Sequence, residues 1–509
     1  MDVGRAHARA QLGERAFDVL VIGGGIVGAG IANEAAHLGL AVALVDRADF
    51  GGATSSASSK LIHGGLRYLR LGDVRLVREA HHERRILERI VAPHLVRRMP
   101  FLLPLYGHGP YRPLVVQTGI VLYSTIARTR LNGLVDVERA QRMVPELVTH
   151  DLRACAFYAD ASTHDSRLCL ANVRAAAERG ATVLNYAEVV ELHAGRGATV
   201  AVDGDHVDVR ARVVVNATGP WVDRVRLLED PRAGTSVRLS KGAHVLLERP
   251  SSWSAALTIP HDKVRVTFAV PWEGMLLVGT TDTLYDGDIG DVEATREDVE
   301  SVLAEAASAV DGTALRREHV RSTFAGLRVL PGGDGATASA RRETVFTRGP
   351  TGMLTVAGGK LTTYRRIALD AVERIGAELG IRRIDPRPRP LPGAVGFDRV
   401  SFPDELDART RSHLLNLYGS LATELLAPAA NEPALLEPLH ADGPDIAAQA
   451  VYARTHEWAL GVDDVLRRRT TLALRGLTGD DVVQRVETLL GAAVRDSNVS
   501  TGRFRRTRG

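Results

Sequence analysis

The chain has 509 residues, of which 45% are hydrophobic and 25% are charged, and its formal net charge is +3. These proportions are ordinary for a globular protein and exclude a disordered or fibrous chain, while the balanced charge points to no particular class of partner. At roughly 100–200 residues per domain, the length predicts two to four domains.

The cysteines and the apolar runs exclude further classes of protein. Cys155 and Cys169 form no CxxC pair, so we expect no zinc ribbon, no disulfide framework and no bound metal, and we expect a reducing compartment. Residues 1–17 are polar and carry arginine, which predicts no signal peptide. Residues 17–45 are apolar on average but include several polar and glycine residues, so we expect no transmembrane segment.

A short buried strand and a glycine turn open the chain's first motif. The β-branched run Phe17–Ile22 is followed at once by G-x-G-x-x-G, which leads into a helix from Ile26. Gly23 permits the tight turn, Gly25 lets the backbone approach a pyrophosphate, and Gly28 lets the helix pack on the strand. The helix N-terminus then offers free N–H groups to phosphate oxygens.

A second apolar run completes this motif. Residues 40–45 read as a strand, and Asp46 follows directly. An acid at this distance from the glycines accepts a hydrogen bond from a ribose hydroxyl. The combination predicts a dinucleotide site for NAD or FAD, and the carboxylate argues against NADP because it would repel a 2′-phosphate.

Residues 51–68 form a second unusual segment, GGATSSASSKLIHGGLRY. Its hydroxyl groups, its lysine and its paired glycines are too polar for a core element and too specific for a linker. A backbone that passes close to a flat ring needs glycine, so we interpret the segment as a cofactor loop. The alternative is a serine-rich surface loop.

Six motifs in order give the chain a family resemblance. Together they resemble the FAD-dependent glycerol-3-phosphate dehydrogenases of the aerobic, quinone-linked type. The likeness spans about residues 17–368 and continues more weakly through 452–469. Besides ATSSASSKLIHGGLRYL, the motifs are NATGPWVD at 216–223, LSKGAH at 239–244, VGTTD at 278–282, AGLRVLP at 325–331 and AGGKLTTYR at 357–365.

The resemblance implies oxidation of sn-glycerol 3-phosphate to dihydroxyacetone phosphate, with hydride passing from C2 to N5 of FAD and electrons passing to a quinone. Because the substrate phosphate carries about two negative charges, arginines are suited to grip it. The residues implied to bind substrate are Arg67, Tyr68, Arg328, Arg342 and Lys360.

A secondary alcohol is a poor acid, so its oxidation needs a positioned base or a cation beside the oxygen. The resemblance implies His63, His244, Arg328 and Lys360 as catalytic candidates. The residues that it and the glycine motif imply for FAD are Gly23, Gly25, Ile26, Gly28, Asp46, Thr54, Ser55, Ser59, Lys60, Leu61, His63, Gly64, Gly65, Ala217, Thr218, Gly219, Gly359, Lys360, Leu361 and Thr362.

The expected fold class is α/β, with a Rossmann-like FAD-binding domain, an antiparallel-sheet substrate domain and a C-terminal all-α cap. Residues 1–392 are expected to hold the first two domains. The FAD-binding domain is discontinuous, at about 15–100, 155–236 and 325–385, and the substrate domain takes about 101–154 and 237–324. The proline-rich stretch 384–392 predicts a linker. Residues 393–509 are expected to form the helical cap.

Several alternatives stay open from the sequence. An amine or D-amino-acid oxidase shares this flavin fold, and an oxygen-using glycerophosphate oxidase shares the substrate. The arginine-rich tail 503–508 could grip nucleic acid or lipid, but we interpret it as solvated and expect no nucleic-acid partner. The apolar stretch 111–130, with basic ends, indicates either a peripheral membrane contact or a core helix. We expect a cytoplasmic protein on the inner membrane face, and the sequence leaves a homodimer open.

Overall fold

The computed structural model describes residues 3–64, 74–107, 133–194, 197–249, 251–262, 265–332 and 344–504. These residues form two β-sheets and a helical C-terminal domain. The helices are α1 (Val3–Glu14), α2 (Ile26–His37), α3 (Val74–Ile86), α4 (Val137–Met143), α5 (Asp165–Glu178), α6 (Val222–Glu229), α7 (Arg296–Ala306), α8 (Tyr364–Gly376), α9 (Ala408–Tyr418), α10 (Ala422–Leu426), α11 (Ala447–His456), α12 (Val462–Asp464) and α13 (Asp480–Phe504).

The strands alternate with these helices in the first half of the chain and cluster in the middle. They are β1 (Ala16–Ile22), β2 (Val42–Val45), β3 (Leu61–Ile62), β4 (Val96–Tyr106), β5 (Gly133–Val135), β6 (Leu152–Thr163), β7 (Thr182–Leu184), β8 (Ala187–His193), β9 (Gly197–Val202), β10 (Asp205–Asn216), β11 (Val237–Glu248), β12 (Ala256–Pro260), β13 (Val266–Trp272), β14 (Met275–Gly279), β15 (Thr283–Tyr285), β16 (Val320–Pro331), β17 (Val345–Arg348) and β18 (Leu354–Ala357).

The first sheet has the strand order β17-β18-β10-β1-β2-β7. The pairs from β18 to β7 are parallel, and β17 is antiparallel at one edge. Side chains alternate across β1, so Val19 and Val21 face a core shared with α2, α5 and α8, while Leu20 and Ile22 face α1 and the β8–β9 hairpin. Both faces are covered, which is why β1 is apolar almost throughout. The predicted Rossmann-like architecture is confirmed.

The second sheet has ten strands in the order β15-β11-β14-β13-β12-β4-β6-β3, with β16 beside β11 and β5 beside β6. Its pairs are antiparallel except β12 with β4. Helices α4 and α7 pack on one face through an apolar core. The opposite face turns toward the carboxyl ends of the first sheet's strands.

The predicted domain division stays a prediction in its details. The predicted boundaries between the two domains at 100/101, 154/155 and 324/325 fall inside β4, β6 and β16. Each of these strands pairs within the second sheet along its length. We therefore propose that the substrate domain includes β4, β6 and β16 entire.

Residues beyond the proline-rich stretch form the helical C-terminal domain. Its helices pack around their own core, which includes Leu414, Leu417, Leu472 and Val486. The stretch itself contains neither helix nor strand, and its Leu391 is buried in the core of the first sheet. Across the described ranges, no helix is long and apolar enough to cross a membrane.

Candidate active site

A cavity of about 1080 Å³ lies between the two sheets. It opens at the carboxyl ends of β1, β10 and β18, which is where ligands bind in open parallel sheets. The loop of residues 51–59 forms one wall, and the inner face of the second sheet forms the roof. This volume is slightly above the usual range of about 300–1,000 Å³ for ligand sites.

The glycine turn after β1 shapes the first part of this cavity. Gly23 has φ +105°, in a region that side-chain-bearing residues rarely adopt. A Cβ on Gly28 would overlap the carbonyl oxygen of Gly23, so only glycine lets α2 start this close to the strand. Gly25 is the N-cap of α2, and Ser55 Oγ accepts a hydrogen bond from the Ile26 N–H at 2.9 Å. The helix N-terminus thus faces the cavity with the dipole direction that favours phosphate.

Asp46 lies at the end of β2, at the edge of the same cavity. Its Oδ2 accepts from the Gly24 N–H at 2.6 Å and its Oδ1 from the Ala48 N–H at 2.8 Å. Burial raises the pKa of Asp46 to about 6, against the lowering effect of these two hydrogen bonds. The carboxylate is therefore ionised at neutral pH and held as an acceptor, as a ribose hydroxyl requires.

The serine-rich loop is anchored from both sides. Thr54 Oγ1 donates to the Leu327 carbonyl at 2.7 Å. Ser58 donates to Asp165 Oδ2 through both its N–H, at 3.0 Å, and its hydroxyl, at 2.7 Å. Lys60 Nζ donates to Asp165 Oδ1 at 2.7 Å. The structure thus points the ammonium of Lys60, expected at the cofactor, toward Asp165, where it holds the loop's backbone.

Two glycines of the second sheet, Gly242 and Gly279, leave room for functional side chains, and a third, Gly326, leaves room for the loop backbone at Ala57. The registers of β11 and β16 set Gly242 opposite Gly326, and His244 opposite Phe324. A Cβ on Gly242 would overlap the guanidinium of Arg328, and one on Gly279 would overlap the His244 ring. Because alternate residues share a face, His244 and Arg328 project from the same side of the sheet toward the cavity.

His244 is buried against this face. Its ring stacks on Phe324 with centroids 4.8 Å apart, and its Nε2 is 2.8 Å from Ser59 Oγ. Burial lowers the pKa of His244 well below its usual value, and the charges of Arg328 and Lys60 add to this effect. The imidazole is therefore neutral and has a free lone pair for a proton, and its burial and the two neighbouring cations make it a weaker base than an exposed histidine.

Arg328 is fixed beside the turn that follows β14. Its Nη1 donates to the Thr281 carbonyl at 3.1 Å and its Nη2 to Thr280 Oγ1 at 2.9 Å, and Asp282 Oδ1 lies 3.5 Å from Nη1. Arg328 is one of the residues that line the cavity. It is thus a preoriented cation on the cavity wall.

His63 and Lys360 come from distant parts of the chain and meet at the cavity. Gly358 and Gly359, both at positive φ, turn the chain after β18 so that Lys360 precedes a short 3-10 helix, Leu361–Thr363. The His63 N–H donates to Thr362 Oγ1 at 3.1 Å. The structure therefore brings all four expected catalytic residues, His63, His244, Arg328 and Lys360, to one cavity.

The other expected residues fall into three groups. Those that line the cavity are Gly23, Gly25, Ile26, Asp46, Thr54, Ser55, Ser59, Leu61, Ala217, Thr218, Gly219, Gly359, Leu361 and Thr362. Gly28 and Gly64 are not in the lining: Gly28 lets α2 approach the Gly23 carbonyl oxygen, and the Gly64 N–H donates to the side-chain Oδ1 of Asp160 at 3.0 Å. Gly65, Arg67, Tyr68 and Arg342, with the stretch 111–130, lie outside the described residues.

Sequence reasoning missed part of the cavity wall. Tyr158 on β6 and Thr258 on β12 share a hydrogen bond of 2.6 Å, and Phe268 on β13 lies beside them in the lining. The Arg47 guanidinium lies 5.1 Å from the Trp221 ring centroid. Strand alternation could have marked these strands, but the face that meets the cavity follows only from their pairing.

The residues of this cavity fit FAD. The glycine cradle would be filled by a Cβ at Gly28, α2 points its N-terminus inward, and Asp46 presents a fixed acceptor. In the part of the chain that the structure describes, no group of three or more His, Cys, Asp and Glu side chains is placed to hold a metal ion. Fold and site together define an FAD-dependent oxidoreductase.

Comparison with known proteins narrows this class. The family profile of FAD-dependent oxidoreductases matches residues 18–365, and the C-terminal domain of alpha-glycerophosphate oxidase matches residues 351–498. Glycerol-3-phosphate dehydrogenase 2 of Mycobacterium tuberculosis is 37% identical over 92% of this chain and 83% of its own. The chain belongs to the FAD-dependent glycerol-3-phosphate dehydrogenase family, which confirms the resemblance, and its cofactor is FAD.

Solved structures agree with this assignment. The glycerol-3-phosphate dehydrogenase of Bacillus halodurans, solved with FAD, matches with a TM-score of 0.74 and 28% identity over 96% of this chain and 97% of that chain. The L-alpha-glycerophosphate oxidase of Mycoplasma pneumoniae, also with FAD bound, has a TM-score of 0.58 and 16% identity over 74% of this chain and 99% of that one. At 16% identity, the similarity to the Mycoplasma pneumoniae oxidase shows a shared fold only.

Proposed function

We propose that this protein oxidises sn-glycerol 3-phosphate to dihydroxyacetone phosphate and passes the electrons to a membrane quinone. The observation that carries the proposal is the meeting of a neutral, buried His244 with Arg328, His63 and Lys360 in the FAD cavity. Such a site offers a base for a hydroxyl proton and cations for an anionic substrate.

The residues take separate roles in this proposal. Arg328 grips a phosphate oxygen, together with Arg67, Tyr68 and Arg342. His244 or His63 accepts the C2 hydroxyl proton, and Lys360 stabilises the negative charge that develops on that oxygen. FAD, which the glycine turn, Asp46 and the loop of residues 51–59 would hold, would supply at its N5 the two-electron acceptor for the C2 hydride. The C2–H electron pair thus leaves as hydride while the proton goes to histidine, which balances the oxidation.

The flavin absorbance of the purified protein tests this proposal. Under anaerobic conditions, glycerol 3-phosphate should bleach the oxidised flavin band, whereas glycine and D-alanine should not. The His244→Gln variant should bleach more slowly, while His193→Gln, outside the cavity lining, should behave as wild type. Bleaching by an amino acid but not by glycerol 3-phosphate would favour the amine-oxidase alternative.

The electron acceptor requires a separate experiment. The family profile that matches the C-terminal domain carries the name of an oxidase, so oxygen is the specific alternative to quinone. After anaerobic reduction, the flavin should be reoxidised much faster by a soluble quinone analogue than by dissolved oxygen. Rapid reoxidation by oxygen with release of hydrogen peroxide would contradict quinone as the acceptor.

A further inference from the structure

The C-terminal domain grips the loop that follows β2. Asp49, with a side chain 1% exposed, pairs with Arg468 and Arg469 of that domain. Arg469 Nη2 donates to Asp49 Oδ1 at 2.8 Å, and Asn185 Nδ2 donates to the same oxygen at 3.1 Å. A single carboxylate of the first domain is thus held by two guanidinium groups of another.

The same loop belongs to the FAD cavity. Asp46 and Asp49 both line it, and Asp46 accepts from the Gly24 N–H in the glycine turn. The Gly51 N–H in turn donates to the Gly24 carbonyl at 3.0 Å. A shift of Asp49 therefore displaces both the ribose acceptor and the turn that receives the pyrophosphate.

Both arginines are held rigidly on their own side. Arg468 Nη2 donates to Asp464 Oδ1 at 2.7 Å, and Arg469 Nε donates to the Glu457 carbonyl at 3.2 Å. They lie in a π-helical turn, Val465–Arg469, and Arg469 is fully buried. Preoriented donors of this kind fix a partner's position instead of adapting to it.

Electrostatics gives the contact a second effect. Burial alone would raise the pKa of Asp49, but Arg469 and Arg468 hold it below its usual value. Without the two arginines, Asp49 would be a buried carboxylate with no counter-charge from the C-terminal domain. It would lie close to Asp46, whose pKa Asp49 already raises. The cost of a buried charge without its partner is large, so the loop would move to solvate it.

The contact of Asp49 with Arg468 and Arg469 joins two regions of the chain that belong to different domains. The oxidoreductase profile ends at residue 365, so the arginines belong to a domain outside that profile. We propose that the C-terminal domain sets the affinity for FAD: Arg468 and Arg469, as positioning residues, hold the Asp46–Asp49 loop in its cofactor-binding position through Asp49. This proposal rests on FAD as cofactor and not on the identity of the substrate.

Equilibrium titration of apoprotein with FAD, followed by flavin fluorescence, tests the proposal. Arg469→Lys keeps the buried charge but loses the paired hydrogen bonds. By analogy with the outer-shell partners of metal sites, we expect the Kd for FAD to rise about 10- to 100-fold. The matched control is Glu424→Gln, which removes the negative charge from a 2.8 Å ion pair between the same domain and Arg174 on α5. Its Kd should equal that of wild type.

A double-mutant cycle identifies the route of the effect. If Arg469 acts through Asp49, then Arg469→Lys should change the Kd little in an Asp49→Asn background. Equal effects in both backgrounds would overturn the proposal, as would a wild-type Kd in both single variants. Should Arg469→Lys fail to fold, Arg468→Lys, whose arginine also pairs with Asp49, takes its place in the same cycle, and its Kd must then rise above that of wild type only in the background that keeps Asp49.

Thermal unfolding of the apoproteins separates positioning from general stability. A merely structural contact would lower the Tm of apoprotein and holoprotein alike and leave the Kd unchanged. No substrate enters these measurements, so failure to oxidise glycerol 3-phosphate would overturn the proposed function without affecting this inference.

Discussion

The buried pair of Lys60 and Asp165 supports the cofactor loop at the level of single residues. Their side chains are 3% and 1% exposed, and the Lys60 ammonium lies 5.1 Å from the centroid of Phe324, the ring on which His244 stacks. The Lys60–Asp165 pair therefore supports the cofactor loop and also packs against the ring that contacts His244, the candidate base.

We expect Asp165→Asn to lower the free energy of unfolding by about 3–5 kcal/mol, because it leaves a buried ammonium without its counter-charge. Urea unfolding of the apoprotein measures this change. The control Asp18→Asn removes a partly exposed pair with Arg212 and should cost no more than about 1 kcal/mol. Equal losses of unfolding free energy in the two variants would show that the buried Lys60–Asp165 pair contributes no more to stability than the partly exposed pair.

Arg328 can be tested by a change that keeps its charge. We expect Arg328→Lys to lower kcat/KM for glycerol 3-phosphate by about 10- to 100-fold, since one charge-assisted contact contributes about 1.5–3 kcal/mol, and to leave the FAD content unchanged. The matched control is Arg321→Lys on the same strand, which pairs at the surface with Glu248. An equal fall in glycerol oxidation would place Arg328 at the C2 oxygen instead of the phosphate.

At the scale of elements, the close approach of α2 to the glycine turn can be tested directly. We expect Gly28→Ala to abolish FAD retention, because its Cβ would overlap the Gly23 carbonyl oxygen and force α2 away from β1. The FAD-to-protein ratio after gel filtration measures this loss. Gly312→Ala, where a Cβ meets nothing within 4 Å, is the control. Full FAD content in Gly28→Ala would show that α2 can shift without harm.

Local elements were predictable, but their partners were not. The strand expected at 17–22 is β1 at Ala16–Ile22, and the strand ending before Asp46 is β2, because apolar runs and glycine turns are local signals. The sequence did not indicate that Lys60 meets Asp165, which lies 105 positions away. Nor did alternation reveal which sheet β4, β6 or β16 joins, since either sheet would bury the same pattern.

The C-terminal domain also meets the second sheet, through a buried histidine. His413 Nε2 lies 2.8 Å from Asp445 Oδ1 and its Nδ1 lies 3.3 Å from Glu273 Oε2. Burial alone would lower the pKa of His413, but the two carboxylates raise it from 6.5 to about 9. At neutral pH this imidazolium bridges two domains.

This bridge predicts a pH dependence at the scale of the whole molecule. Because the folded pKa exceeds the unfolded value, the stabilisation is fully present below about pH 6.5 and is lost as pH rises through about 9. We expect the urea midpoint to fall across this window and the fall to be smaller in His413→Asn. His440→Asn, a partly exposed histidine, should follow wild type. A His413→Asn profile parallel to wild type would contradict the assigned charge.

Membrane association is a further whole-molecule expectation, and it rests on residues 111–130, outside the described ranges. We expect the protein to float with anionic vesicles at low salt, because an apolar stretch with basic ends can lie in the headgroup layer. The double change Leu122→Asp with Ile126→Asp should abolish flotation. A wild type that stays at the bottom of the gradient contradicts membrane contact, and a variant that loses FAD indicates that the stretch is core.

The order of strands in the parallel sheet differs from the order in which the strands are synthesised. β18 pairs with β10, and Tyr364, Ile367 and Val372 of the adjoining α8 join the core of α2. Roughly 330 residues separate the glycine turn from β18, which at about 5–20 residues per second takes on the order of 15–65 s of translation. During that interval the nascent sheet has an open edge of the kind that invites aggregation. Pairing of β18 with β10 covers that edge, and residues 358–362 of the cavity follow β18, so we expect the complete FAD site to form only late in synthesis.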